Sequence, residues 1–201
     1  TVESGGSLSI SDGAILDFEN GQQNLNLTAG YIVPTGYIDP IDYVPPYTII
    51  SSNNETWTNK TYFVRNISIL QNAKLTIQDS KLIFTDASSK LLINATGTFL
   101  LDNSTLTSNG CNNSVWQGIE VWGNNTHHQF TISGNCYQGT VILENGAIIE
   151  NALNAINAIK MNVDSTSDWS TTGGIIKADG AIFRNNKNGV WLGAYHNFNP
   201  N

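Results

Sequence analysis

Tryptophans, paired carboxylates, adjacent histidines and two cysteines are the side chains whose spacing could carry chemistry in this sequence. Trp116 and Trp122 stand six positions apart, and on an unbroken strand that spacing sets both on one face. An exposed pair would stack on the C–H faces of sugar rings. A buried pair would fill a core, and burial is favoured because Ile119 and Val121 between them also need apolar cover. Trp191 is the third indole that could join a sugar-binding row. Asp79 and Asp102 nearly superpose when residues 75–82 are laid over residues 99–106, an offset of 24. Two carboxylates about 5–10 Å apart could serve glycoside hydrolysis. In this register, however, Asp79 meets Asn103, so two corner residues are expected. His127 and His128 are adjacent, and neighbours on a strand point to opposite faces. Residues 124–129 read as a polar loop, and no metal site is expected. Cys111 and Cys136 are either two buried free thiols or a disulfide. The disulfide is the expectation, since an Asn- and Thr-rich, charge-poor chain reads as an extracellular surface, and two thiols without an adjacent third ligand fall short of a zinc site.

Composition bounds the elements that must position these groups. Only 12% of the 201 residues are charged, against about 25% in an ordinary soluble domain. Neutral polar residues replace them: 27 Asn and 36 Ser plus Thr, with 18 Gly besides. These types compete with the helical backbone or loosen it, which excludes an all-α protein. Apolar residues recur at short intervals, which argues against a long disordered tail. The formal charge is −7 with nine Lys plus Arg, and the scattered cations do not form the patch that nucleic acid or anionic membranes require. No apolar stretch approaches the ~20 residues that span a bilayer. The opening Thr1-Val2-Glu3-Ser4 lacks a secretory signal, so the chain is expected to be cytosolic, already processed or cut from something larger. Nucleotide loops and nucleophile motifs are not evident, and no cofactor is expected.

Internal repeats supply the architecture. Ile148-Ile149-Glu150-Asn151-Ala152 overlays Ile182-Phe183-Arg184-Asn185-Asn186 at an offset of 34. The match extends from Asn145-Gly146-Ala147 on Asp179-Gly180-Ala181 to Asn154-Ala155-Ile156 on Asn188-Gly189-Val190. Leu75–Leu82 overlays Phe99–Leu106 at an offset of 24. Each unit holds strands of a few residues, such as Leu75-Thr76-Ile77 and Lys81-Leu82-Ile83-Phe84, with Asp79-Ser80 between them. Asn-Gly and Asp-Gly pairs at Asp12, Asn20, Asn109, Asn145, Asp179 and Asn188 suit sharp corners. A sandwich or propeller does not repeat in this way. The fold expected is all-β, a parallel β-helix in which each strand stacks about 4.8 Å from its equivalent one coil away. Corner asparagines can then form ladders of amides along the axis. The offset of 34 exceeds one bare coil, so residues 161–172 are expected to form a loop thrown outward. Cys111 and Cys136 lie 25 apart, close to one coil, which would bring them within disulfide reach. Tyr31–Tyr47, with four of the five prolines, is expected to be a loop or cap. Residues 1–47 are thus read as an N-terminal strand and cap segment, and residues 48–201 as the β-helix.

Around Trp116-Gln117-Gly118-Ile119-Glu120-Val121-Trp122-Gly123-Asn124 the sequence resembles the large secreted β-helical proteins of Bacteroidetes. These are similar to pectin-lyase-like solenoids and often carry a type IX secretion sorting domain. Asn72–Ile77, Gln138–Val141, Gly146–Ala152, Gly173–Ala178 and Ala181–Asn186 support the resemblance, which covers about residues 48–201. It implies a right-handed β-helix, export and a cell-surface setting. In such proteins the solenoid runs on past a stretch like Tyr195-His196-Asn197, so continuation beyond the chain end is expected. The resemblance also raises polysaccharide lyases, which need clustered Asp for calcium beside an Arg or Lys base. Arg65 and Arg184 are 119 positions apart and neither neighbours an acidic pair.

These readings converge on a non-enzymatic, extracellular structural or adhesive solenoid module. Its expected partners are other domains of a longer parent chain, further subunits of a surface assembly, and glycans. The alternative is a carbohydrate-binding or polysaccharide-degrading β-helix, with Trp116, Trp122 or Trp191 lining a groove.

Overall fold

The structure, a computed structural model, describes residues 42–43, 47–50, 54–108, 115–130, 134, 136–162 and 164–195. Side chains alternate inward and outward along short segments, and those segments form strands rather than helices. Thr61–Val64, Asn66–Ile69 and Lys90–Ile93 each bury every second residue. Among the described residues the only helical element is a single 3₁₀ turn, Trp169–Thr171.

Strands are numbered in chain order. Sheet A contains β1 (Asp42–Tyr43), β4 (Thr61–Val64), β7 (Lys81–Phe84), β10 (Thr105–Ser108), β13 (Ile148–Glu150) and β18 (Ile182–Arg184), adjacent in that order. Sheet B contains β2 (Tyr47–Ile50), β5 (Asn66–Ile69), β8 (Lys90–Ile93), β11 (Trp116–Val121), β14 (Ala152–Asn157) and β19 (Asn188–Trp191). Sheet C contains β3 (Glu55–Thr58), β6 (Lys74–Gln78), β9 (Thr98–Asp102), β12 (Thr140–Glu144) and β17 (Ile175–Ala178). The chain therefore visits A, B and C in rotation, and within these sheets all pairings are parallel. Between β14 and β17 it also forms a small antiparallel pair, β15 (Lys160–Met161) with β16 (Ser167–Asp168). The result is an all-β stack of parallel strands in three sheets, as the repeats predict.

Both repeat offsets appear as strand register. Ile148 pairs with Ile182, and Glu150 with Arg184. Leu75 pairs with Phe99, and Ile77 with Leu101. Register places like over like, so inward residues form columns. Leu82, Leu106 and Ile149 stack in sheet A; Ile67, Leu91, Ile119 and Ile156 stack in sheet B. All are buried in one core cluster. Each such side chain contributes about 1.5–3 kcal/mol by leaving water.

The corner from C to A shows one use of the asparagines. Asn59, Asp79, Asn103, Asn145 and Gly180 all have positive φ, between 42° and 64°, and follow aligned ends of sheet C strands. Asn, Asp and Gly tolerate this left-handed conformation best. The amides also form the expected ladder: Asn103 Nδ2 donates to Asp79 Oδ1 at 2.7 Å, and Asn145 Nδ2 to Asp102 Oδ1 at 2.7 Å. Asn188-Gly189 departs from expectation, because it opens β19 instead of turning a corner. There Asn188 Nδ2 continues a ladder on the strand, donating to Asn154 Oδ1 at 2.8 Å.

A bulge alters the expected placement of the tryptophans. Register shifts between Gly118 and Ile119, so the inward positions of β11 are Trp116, Ile119 and Val121. Trp116 points inward and stacks on Phe84, with ring centroids 3.9 Å apart. Its indole N–H donates to the Glu150 carbonyl at 3.0 Å. Trp122 points outward with Glu120, so the two indoles do not share a face. Gly118 is the cause: its φ is +99°, and a Cβ there would lie 1.6 Å from the Asn154 carbonyl oxygen.

Asp42–Tyr43 and Tyr47–Ile50 are strands of sheets A and B. The rest of the expected N-terminal segment, including most of the Pro/Tyr-rich stretch, lies outside the described residues.

Candidate functional site

Irregularity concentrates at one corner, where the chain passes from sheet B to sheet C. Equivalent positions on successive sheet C strands are 20 and 24 residues apart in the first coils, as Glu55 to Leu75 and Lys74 to Thr98. The next two steps are 42 and 35 residues, from Thr98 to Thr140 and from Thr140 to Ile175. The longer step from Thr140 to Ile175 arises in residues 158–174, which include the stretch expected to be thrown outward. Residues 122–139 leave from the same corner. The first excursion closes at a narrow neck, where Gly139 N donates to the Trp122 carbonyl at 2.9 Å. A Cβ on Gly139 would lie 2.5 Å from that oxygen, so only glycine fits.

The excursions pack on one another through polar contacts. Gly123 N donates to the Thr171 carbonyl at 2.7 Å, and Asn125 N to the Ser170 carbonyl at 3.1 Å. Gln138, 1% exposed, knots the first excursion. Its Oε1 accepts from Asn124 N at 2.6 Å, while Nε2 donates to the carbonyls of Asn124, His127 and His128. The Tyr195 hydroxyl donates to the His127 carbonyl, and burial pushes that phenol above its ordinary range. In the second excursion the Ser170 hydroxyl hydrogen bond holds the Asp168 carboxyl below its ordinary range.

The sequence-predicted groups separate in this frame. His127 and His128 sit in the first excursion and both pack on Tyr137, at centroid distances of 4.1 and 6.0 Å. No set of three metal-ligating side chains occurs among the described residues. Asp79 and Asp102 serve the amide ladder, each accepting from an asparagine. Cys136 is a free thiol, so the expected Cys111–Cys136 disulfide is not formed. Its Sγ lies 3.5 Å from the Gln138 carbonyl. Spacing misled here because the first excursion lengthens this coil. Cys136 precedes β12 at the B–C corner, and Cys111 lies outside the described residues.

Trp122 and Trp191 end on the outer face of sheet B. Glu120 is the register partner of Asn157, which is the partner of Trp191. Lys90 Nζ lies 3.1 Å from Glu120 Oε1, and the Trp122 N–H donates to Glu120 Oε2 at 3.0 Å. Lys160 Nζ sits 5.3 Å from the Trp122 ring centroid and 3.8 Å from an Asp168 carboxylate oxygen. Asn157 is 5% exposed, and its Oδ1 is buried without a hydrogen-bond partner. Gln138, Glu120 and Asn157 were not singled out from sequence. Gln138 and Glu120 lie within stretches that carry the family resemblance, whereas Asn157 is one asparagine among many. Comparison with family models, curated proteins and solved structures finds no match to this chain.

Proposed function

We propose that the chain winds as a right-handed parallel β-helix and works as an extracellular structural and adhesive module of a large secreted or cell-surface protein. The observation that carries this reading is the A–B–C rotation with residues stacked in register, Ile148 on Ile182 and Leu75 on Phe99. Parallel crossover connections are overwhelmingly right-handed, which supports the handedness. Backbone ladders running along one axis make a stiff rod, and each coil needs only its neighbours.

The last coil supports extension of that rod. Among the described residues β17, β18 and β19 end their sheets, and Ile182, Val190, Trp191 and Leu192 are exposed there. A raw edge of this kind calls for cover by further coils of a parent chain or by another subunit. The amide-ladder roles of Asp79 and Asp102 lend nothing to a degradative alternative. The composition, rich in Asn and Thr and poor in charge, and the resemblance to secreted Bacteroidetes solenoids support the surface setting.

Display of the protein on a host cell that lacks it tests the role. Increased cell retention on coated surfaces is the expected result. Unchanged retention would overturn the adhesive role.

A further inference from the structure

The outer face of sheet B holds a feature that a plain wall does not need. Asn157 is almost completely buried there, yet its carboxamide oxygen has no donor. A buried acceptor without a donor is destabilising and calls for a partner. On one side of it lies Glu120, on the other Trp191, 38% exposed. Register sets Trp191 two strands across and two residues back from Trp122, a Cα separation of ~12 Å. An indole platform beside an unpartnered acceptor suits a molecule with an apolar C–H face and hydroxyl donors on its rim. That description fits a pyranose, and the spacing of the indoles fits a di- or trisaccharide.

Charge narrows the class. Lys90 is paired with Glu120 and Lys160 with Asp168, so neither cation is free for an anionic sugar. The net charge of −7 also repels polyanions. We propose that the outer face of sheet B between β11 and β19 binds a neutral oligosaccharide, with Trp191 as stacking platform and Asn157 Oδ1 as hydroxyl acceptor. Asn157 and Trp191 are register partners, so their side chains leave the same face of the sheet. Lys160 occupies one side of Trp122, which makes Trp191 the principal platform and Trp122 a flanking wall.

Titration calorimetry of the whole chain with cellotetraose, laminaritetraose, mannotetraose, maltotetraose and chitotetraose tests the site, with tetragalacturonate as the charged counterpart. At least one neutral tetrasaccharide is expected to bind. Trp191→Ala should weaken binding roughly tenfold or more. Asn157→Leu should abolish binding without lowering the melting temperature, since it removes a buried acceptor that has no protein partner. The proposal is overturned if no neutral tetrasaccharide binds at millimolar concentration. It is also overturned if Trp191→Ala binds like the parent, or if tetragalacturonate binds more tightly than every neutral probe. None of these failures touches the rod reading, which rests on register rather than on this face.

Discussion

The coils from β3 to β10 and those from β11 to β19 are built on one plan but held differently. In the first group, β4, β5 and β8 alternate without interruption, and sheet C repeats every 20 to 24 residues. Stability there comes from columns of inward Leu, Ile and Phe. In the second group a bulge breaks β11, and two excursions leave the B–C corner. Polar side chains tie the irregular parts together there: Gln138 ties a loop, Glu120 joins Lys90 to Trp122, and the half-buried Asn186 accepts from Ala152 N at 2.9 Å. Repetition supplies the wall, and departures from it supply individuality.

The comparison can be broken at its hinge. Gly118→Val places a side chain against the Asn154 carbonyl at a backbone conformation that valine avoids. We expect it to abolish folding of the later coils, read as loss of cooperative urea unfolding and of amide protection in β11 and β14. In the regular coils, Phe99→Ala removes a fully buried ring. The expected loss is about 3–5 kcal/mol, measured by the same unfolding experiment. A fall of less than 1 kcal/mol would contradict the column picture.

A smaller and more local effect is expected at Gln138. Gln138→Leu leaves the Asn124, His127 and His128 carbonyls and Asn124 N without this partner. Hydrogen exchange should accelerate in residues 123–130 while strand amides keep their protection. The overall cost should be about 1–3 kcal/mol. Uniform acceleration across all sheets would mean that the excursion and the wall are a single cooperative unit.

The smallest effect belongs to Asp86, at the corner between β7 and β8. Hydrogen bonds from the Ser88 hydroxyl and backbone, with the Arg65 guanidinium, hold its carboxyl below the usual aspartate range. A depressed folded value stabilises the fold above the unfolded value of about 3.9 and loses that contribution as pH falls through the folded value. Ser88→Ala should raise the Asp86 midpoint in a carboxyl-resolved NMR titration and slightly weaken acid resistance. Since Asp86 is partly exposed, solvent screening keeps the contribution small.

Regular repetition was legible in the sequence because register copies it. Ile148 on Ile182 and Leu75 on Phe99 needed only a comparison of offsets. The corner asparagines were legible for the same reason, since a left-handed turn restricts residue type. The tryptophan face was not, because one glycine with φ of +99° reverses the inward–outward alternation, and a glycine letter does not announce a bulge. The cysteine pairing failed because coil length was taken as constant, while the chain from β11 to β12 includes an excursion. Asn157 stayed hidden among 27 asparagines, and only register shows what stands beside it.

The narrow neck at Gly139 has an implication for how such chains diversify. Because the strand after the neck resumes the same pairing whether the intervening peptide is short or long, length at that corner is uncoupled from the pitch of the stack. Peptides exchanged there, between residues 124 and 137 for example, would ride on an unchanged chassis. Relatives of this chain could then differ most in that segment while remaining superimposable everywhere else.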